Sequence, residues 1–280
     1  NNEYIIIENK IIKTDSLGIT QWEYDLFDTA NDIETTSDHN FIFITNSNFG
    51  KINNNGELIW EQNIGGKSIE ETLDFGFIIL DDNKLIKTFN DGVVVWEKDL
   101  PYIQESEGNI QLIGKMVKQT VDGGYIILGN KGYSDEDLWL YKTDQNGNEE
   151  FSQFFDYYNN RSDIGRSINL TSDGGYIISG IGDDGMWIIK THSSGNKEWE
   201  YYYSDPGEDG INYVLETSDG GFISTGYSFS NGQLYLTIMK LNNLGEKLWD
   251  KKIDNGIGKT VLETCDNGFI ILGNRFDFST

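Results

Sequence analysis

The stretch "YVLETSDGGFISTGY", residues 213–227, decides the fold. An apolar run ends at Thr217, the chain turns through Asp219, Gly220 and Gly221, and a second apolar run begins at Phe222. Nearly the same words return as "NLTSDGGYIISG" (169–180) and "KQTVDGGYIILG" (118–129). A phosphate-cradling loop would carry a Lys-Ser/Thr pair and open a helix. Here that pair is missing and the turn runs straight into another β-branched run. An EF-hand loop needs acidic ligands at alternate positions ending in Glu, and nothing matches. The remaining reading is a β-hairpin whose glycine supplies the positive φ of its turn.

The hairpin is a repeat. A β-branched residue is followed three positions on by Thr, two further by Asp, two further by Gly or Asn, and then by Phe or Tyr. The copies start at Ile33, Ile69, Val117, Ile168, Val214 and Val261, and their aspartates are Asp38, Asp74, Asp122, Asp173, Asp219 and Asp266. A second unit alternates with the first: Lys, five positions to Gly, four more to an aromatic residue. Its copies are Lys13–Gly18–Trp22, Lys51–Gly56–Trp60, Lys87–Gly92–Trp96, Lys142–Gly147–Phe151, Lys190–Gly195–Trp199 and Lys240–Gly245–Trp249. Asn, Asp and Gly between its short runs mark a second hairpin.

Two hairpins make a four-stranded sheet too small to bury both faces alone, so neighbouring sheets must stack. The Thr-to-Thr spacings of 36, 48, 51, 46 and 47 residues suit a propeller blade, and long helical periodicity is absent. The pattern predicts an all-β fold, a single six-bladed β-propeller domain over 1–280 with four-stranded antiparallel blades. The expected blades are 29–64, 65–100, 101–156, 157–204 and 205–253, with a closing blade built from 254–280 plus 1–28. Seven blades is the alternative. "YIII" at Tyr4–Ile7 resembles a further copy of the second strand, which either adds an extra strand, displaces part of the C-terminal end or marks a piece of a longer parent.

The alternation of T-x-D-G-G-[FY] with K-T-D-x-x-G-x-x-x-W resembles repeats of secreted and cell-surface bacterial and archaeal propeller proteins. The second hairpin is also similar to the tryptophan-docking repeat of pyrroloquinoline-quinone-type propellers, in which each Trp packs against the next blade. Phe151 departs from that pattern. The resemblance implies the fold and says little about activity, since propellers host many functions.

Composition narrows the function. With 46 acidic and 21 basic residues the formal charge is −25, which repels nucleic acid and anionic membranes. No apolar run reaches the length of a membrane helix, so direct membrane insertion is not expected. One cysteine, Cys265, allows no intrachain disulfide. The only histidines, His39 and His192, share no ligand motif, so zinc is not expected. No cofactor is predicted. Ca²⁺ is the ion that the oxygen-rich loops could bind, with Asp135, Asp137, Asp183 and Asp184 as candidates.

The repeats differ most in the later blades, whose connections are longer and aromatic-rich, as in "NKGYSDEDLW" and "FDYYNNRSDIGR". Tyr133, Trp139, Arg161, Arg166 and Trp187 belong to this part. Trp139 and Trp187 lie outside the docking series and either pack between blades or line a binding face. Aromatic residues and Arg anchor interfaces. The expectation is therefore a non-enzymatic binding or scaffolding propeller, extracytoplasmic and monomeric, recognising a protein or carbohydrate through those loops. Two alternatives stand beside it: a hydrolase or lyase using carboxylates in a central cleft, and an architectural module of a larger surface protein.

Overall fold

The computed structural model describes residues 4–7, 9–105, 108–132, 137–156, 163–183, 185–203, 209–230 and 232–276. All regular elements are strands, and no helix is long and apolar enough to cross a membrane among them. The chain divides into two compact units, Asn1–Gln119 and Thr120–Thr280.

Unit 1 begins with a three-stranded sheet of β1 (Tyr4–Ile7), β2 (Lys10–Thr14) and β3 (Thr20–Asp25). Two four-stranded antiparallel sheets follow in simple sequential order. One holds β4 (Ala30–Thr35), β5 (Phe41–Thr45), β6 (Phe49–Ile52) and β7 (Leu58–Gln62). The other holds β8 (Ser68–Glu71), β9 (Phe77–Leu80), β10 (Lys84–Thr88) and β11 (Val94–Asp99). Then come β12 (Tyr102–Glu105), a strand the repeat pattern does not predict, and its partner β13 (Gly108–Gln119).

Unit 2 contains β14 (Tyr125–Lys131), β15 (Leu138–Thr143) and β16 (Glu149–Phe155), then two complete sheets. These are β17 (Ile164–Leu170), β18 (Tyr176–Gly182), β19 (Gly185–Thr191) and β20 (Lys197–Tyr203), and β21 (Gly210–Glu216), β22 (Phe222–Ser230), β23 (Gln233–Leu241) and β24 (Lys247–Asp254). A two-stranded sheet of β25 (Gly256–Glu263) and β26 (Phe269–Arg275) completes it.

Burial follows strand rank. In β5, β9, β15 and β19 every residue is buried. Such strands read as unbroken apolar runs rather than alternating ones. The outermost strands β7, β16 and β20 alternate between wet and covered positions. Cores form where one sheet meets the next. Ile42, Ile44 and Phe49 pack with Ile69, Phe77 and Ile79, and Ile177, Met186 and Ile188 pack with Ile211, Val214 and Phe222.

The docking residues sit at these seams. Trp22 meets Phe41 at 5.9 Å between centroids, Trp60 meets Phe77 at 5.8 Å, and Trp199 meets Phe222 at 5.4 Å. Each ring also covers the turn glycine of the next sheet's second hairpin. A methyl on Gly56 would lie 2.8 Å from the Trp22 ring, and one on Gly245 would lie 2.6 Å from Trp199. Phe151 covers Gly195 in the same way, so its departure from Trp keeps the contact.

The pairing expected for the chain's two ends differs in one respect. The closing blade predicts that the C-terminal strand lies against Lys10–Thr14. In the structure β1 lies there, with Tyr4 opposite Thr14 and Ile7 opposite Ile11. The physical reason is local: Tyr4–Ile7 copies the aromatic and β-branched sequence of a second strand, and a two-residue connection makes its closure entropically cheap.

Candidate functional site

The D-G-G turns have the composition that looks most like chemistry. In each, the repeat Thr hydroxyl donates to its Asp, as Thr217 does to Asp219 at 2.6 Å. The amide of the residue three beyond Thr closes the turn, and that residue has positive φ in every copy: His39, Phe75, Gly123, Gly174, Gly220 and Asn267. A register shift in the third strand falls at the repeat lysine in all six copies, including Lys51/Ile52, Lys190/Thr191 and Lys240/Leu241. A bulge re-aims the side chain it carries, and five of these lysines reach back to the turn Asp, while Lys13 donates to Asn54. Lys51 meets Asp38 at 2.7 Å, Lys190 meets Asp173 at 2.8 Å and Lys240 meets Asp219 at 2.8 Å. At Asp38 and Asp173 burial opposes ionisation, but the lysine and the Thr hydroxyl outweigh it and bring both carboxyls down to about 2. The lysines are buried, and aspartates satisfy five of them. This is a structural latch.

The residue directly after each repeat β-branched position behaves differently. In unit 1 these residues are Glu34 on β4, Glu70 on β8 and Lys118 on β13. Their equal rank on three first strands brings them together. The Lys118 ammonium binds a Glu34 carboxylate oxygen and lies 3.7 Å from Glu70. Glu70 also accepts the Gln119 amide. Asp32, two residues before Glu34, accepts from the Ser68 hydroxyl at 3.1 Å and the Ile69 amide at 3.1 Å. Ser68 in turn accepts the Val117 amide at 3.3 Å.

Three carboxylates therefore face one ammonium in a poorly hydrated place. Burial, with repulsion from Glu34, pushes the Asp32 carboxyl up to about 6. Burial raises Glu70 to about 7, and Glu34 and Asp32 add to this while Lys118 opposes it. Burial also works against the charge on Lys118, yet the surrounding carboxylates hold its pKa above the usual lysine range. Perturbed carboxyls of this kind mark candidate functional positions. The sequence carried the signal in the rank shared by Glu34, Glu70 and Lys118, which reading the turns alone overlooks.

The equivalent positions of unit 2 are Asn169, Leu215 and Leu262. Its first strands are joined by neutral groups: Asn169 donates to the Val214 carbonyl at 2.8 Å, and the Val214 amide donates to Ser167 at 3.2 Å.

The residues expected at a binding face stand in different environments. Trp139 and Trp187 are 0% and 1% exposed, which corrects the reading that they line a binding surface. They stand on third strands whose every residue is buried, and their indole N–H groups donate to Ser152 at 2.9 Å and Glu200 at 3.0 Å. Arg166 is exposed, but it lies on β17 rather than in a loop, at the bulge where pairing skips from Gly165 to Ser167. Tyr133 and Arg161 lie outside the described residues, as do Asp135 and Asp184. Asp137 faces Lys131 at 3.8 Å, and Asp183 has φ of 44° with its carbonyl accepting from the Tyr202 hydroxyl at 3.2 Å. Among the described residues no three His, Cys, Asp or Glu side chains converge on a point that could hold a metal ion.

No family model matches the chain, and no curated protein matches it. Solved structures do. The WD40 domain of Pan2 from Neurospora crassa is similar over 98% of this chain and 82% of its own, with a TM-score of 0.67 and 11% identity. A catalytically inactive virginiamycin B lyase from Staphylococcus aureus, solved with quinupristin, covers 93% of this chain and 88% of its own, with a TM-score of 0.63 and 14% identity. BBS1N in complex with ARL6DN covers 90% and 86%, with a TM-score of 0.58 and 12% identity. At these identities the likeness establishes the fold alone. The chain has the β-propeller fold, built from antiparallel four-stranded sheets.

Proposed function

We propose that the chain is a non-enzymatic binding or scaffolding propeller that works outside the cytoplasm and recognises a protein or glycan through the connections of its later sheets. The observation that carries this reading is how the polar groups of the first strands are engaged. Glu34 and Glu70 hold Lys118, Glu70 accepts the Gln119 amide, and Asp32 accepts from Ser68 and Ile69. These groups tie one sheet to the next, which leaves recognition to the places where the repeats differ. Arg166, exposed on its bulge, is the contact residue retained from the sequence reading, since Trp139 and Trp187 serve the core. The complex of BBS1N with ARL6DN is a precedent for a protein of this fold held against a partner. The acidic surface suits a basic partner.

A second reading keeps its own support. Asp32 and Glu70, held near 6 and near 7, are matched to proton transfer at neutral pH, so a hydrolase or lyase would use them as acid and base. One experiment separates the two. The immobilised protein is screened against a glycan array and a displayed library of surface proteins, and bound members are incubated with free protein to look for cleavage. Retained, uncleaved binders that Arg166→Ala weakens support the binding reading. Product formation abolished by Glu70→Gln would replace it with the catalytic one.

A further inference from the structure

One end of the β8–β11 sheet gives up, at three places, the polar or permissive residues that other repeats use to hold the same turns. The first place is Phe75, in the β8–β9 turn. The residue at this rank takes a positive φ in every copy, which Gly123, Gly174 and Gly220 do without strain and which His39 and Asn267 tolerate. Phe75 has φ of 64° and is the one apolar residue in that conformation among the described residues. For a bulky side chain the conformation is strained.

The second place is Phe89, at the head of the β10–β11 turn. In four of the other five second hairpins this rank holds Asp or Asn, whose side-chain oxygen accepts two amides of its own turn. Asp15 accepts Leu17 and Ile19, Asn53 accepts Asn55 and Glu57, Asp144 accepts Asn146 and Asn148, and Asn242 accepts Leu244 and Glu246. Phe89 can accept neither, and Asp91 takes only the Val93 amide, at 3.1 Å. The third place is Leu73, at the rank where Ser37, Ser172 and Ser218 bond a glutamate of the next sheet.

These departures fall side by side. In the antiparallel order of this sheet both turns lie at one end, and they touch. A methyl on Gly76, next to Phe75, would lie 2.2 Å from the carbonyl oxygen of Thr88, next to Phe89. The Phe89 amide donates to the Val93 carbonyl at 2.8 Å. Leu73, Phe75, Phe89 and Val93 gain no cover in return, being 52–73% exposed. Local rules broken without a gain in the fold mark a place that serves something else. Exposed apolar groups gathered together mark an interaction surface, and aromatic residues are enriched in such surfaces.

Charge selects the partner. The lysines of this end are hidden: the side chain of Lys87 is 7% exposed and meets Asp74 at 3.0 Å, and Lys51 is held by Asp38 in the adjoining turn, which Glu71 ties to β8. Asp38, Asp74 and Asp91 face water. Such a rim repels anionic lipid and, at a net charge of −25, a second copy of the chain. It attracts Lys and Arg.

We propose that Leu73, Phe75, Phe89 and Val93 dock a segment of a partner protein that presents an aromatic or aliphatic anchor flanked by Lys or Arg. The anchor packs on the phenyl rings, and Asp38, Asp74 and Asp91 meet its cations. This surface lies within unit 1 and does not depend on Arg166 or the later connections.

The test selects a displayed random-peptide library in parallel on the full chain and on its Phe75→Gly/Phe89→Asp variant. The variant restores at both ranks the residue types of other repeats, so its urea midpoint should rise, and lost binding is then not lost folding. We expect peptides enriched only on the wild type, with an apolar anchor beside Lys or Arg. Once synthesised, such a peptide should bind the variant at least about tenfold more weakly, lose affinity as salt rises, and bind Arg166→Ala as it binds the wild type. Four results would each overturn the proposal. The first is a selection in which no peptide distinguishes the two proteins, or whose peptides depend on Arg166 instead. The second is enriched peptides that are acidic or uncharged. The third is a urea midpoint that falls in the variant, which would make both rings part of the fold. The fourth is self-association in sedimentation, or binding to phosphatidylserine vesicles, that the variant abolishes.

Discussion

The first strands of the two units share one frame and fill it with opposite chemistry. In unit 1 the residue after the repeat β-branched position is Glu34, Glu70 or Lys118; in unit 2 it is Asn169, Leu215 or Leu262. The turn latches and the seam aromatics are alike in both units, so this position is free of the architectural work done elsewhere in the repeat. Unit 1 uses it to place three carboxylates around one ammonium. Unit 2 joins the same strands with Ser167, Asn169 and main-chain groups. Shared spacing secures the fold, while the choice of side chain at one rank decides whether a first strand responds to pH.

The sharpest way to break this comparison is to remove the ammonium. Lys118→Met leaves Glu34, Glu70 and Asp32 facing one another in a place only 18–27% open at Lys118, Glu70 and Glu34. Stranding buried charges is costly, and after a discount for partial solvation the loss is about 2–3 kcal/mol at pH 7.5. Urea unfolding followed by tryptophan fluorescence measures it. Leu215→Met at the equivalent rank of unit 2 should cost less than about 1 kcal/mol. Equal losses at the two positions would show that the cluster adds nothing beyond packing.

A smaller effect tests the electrostatics directly. Asp32 and Glu70 are raised to about 6 and about 7 in the folded protein, against about 4 when unfolded. The folded state therefore binds these protons more tightly, and their contribution to stability grows as pH falls from about 7.5 towards about 4. Above pH 7.5 it is absent. The turn aspartates run the other way: Asp38 and Asp173, lowered to about 2, lend stability that is lost only as pH falls below about 4 towards 2. Between pH 7.5 and 6.5 the expected gain in the unfolding free energy is about 1 kcal/mol. Glu70→Gln should abolish most of that slope while raising stability at pH 7.5. A wild-type slope of opposite sign in this window would refute the assignment.

What the sequence discloses follows from what repetition can disclose. Six copies of Thr-x-Asp make the turns legible, and the structure shows why those residue types recur: Thr217 and Lys240 both need Asp219, and Gly221 leaves room for the Leu241 carbonyl. Trp139 and Trp187 escape such a reading because an aromatic residue outside the docking series has two outlets, a surface or a covered third strand, and composition cannot choose between them. The Glu34–Glu70–Lys118 cluster is hidden for a different reason. Its members lie 36 and 48 residues apart, and their encounter depends on three strands arriving at one rank in three dimensions. Tyr4–Ile7 is legible as a surplus second strand, but its partner is not, because two segments of the chain answer to the same pattern.

The smallest expected effect concerns a clasp that both units share, and it sharpens the contrast from the side of similarity. The residue two beyond the repeat β-branched position reaches to the preceding sheet's turn. Glu71 accepts the Ser37 amide at 2.6 Å and its hydroxyl at 3.2 Å; Glu216 accepts the same pair from Ser172 at 2.6 and 2.8 Å; Glu263 does so from Ser218 at 2.7 and 2.9 Å. Where the turn carries Leu73 instead of Ser, the reaching residue is Gln119, which takes only the amide at 2.7 Å. Side chain and turn residue thus vary together inside one chain, as a real bond between them requires. Because these bonds are exposed, a double-mutant cycle of Ser172→Ala and Glu216→Gln should give a coupling of only about 0.5 kcal/mol. Glu216→Ala, which strands the amide as well, should cost about 1 kcal/mol. The pH response belongs to Asp32 and Glu70 of unit 1, so neither value should follow it between pH 7.5 and 6. A clasp as pH-sensitive as the first-strand cluster would remove the distinction between the two ranks of the repeat.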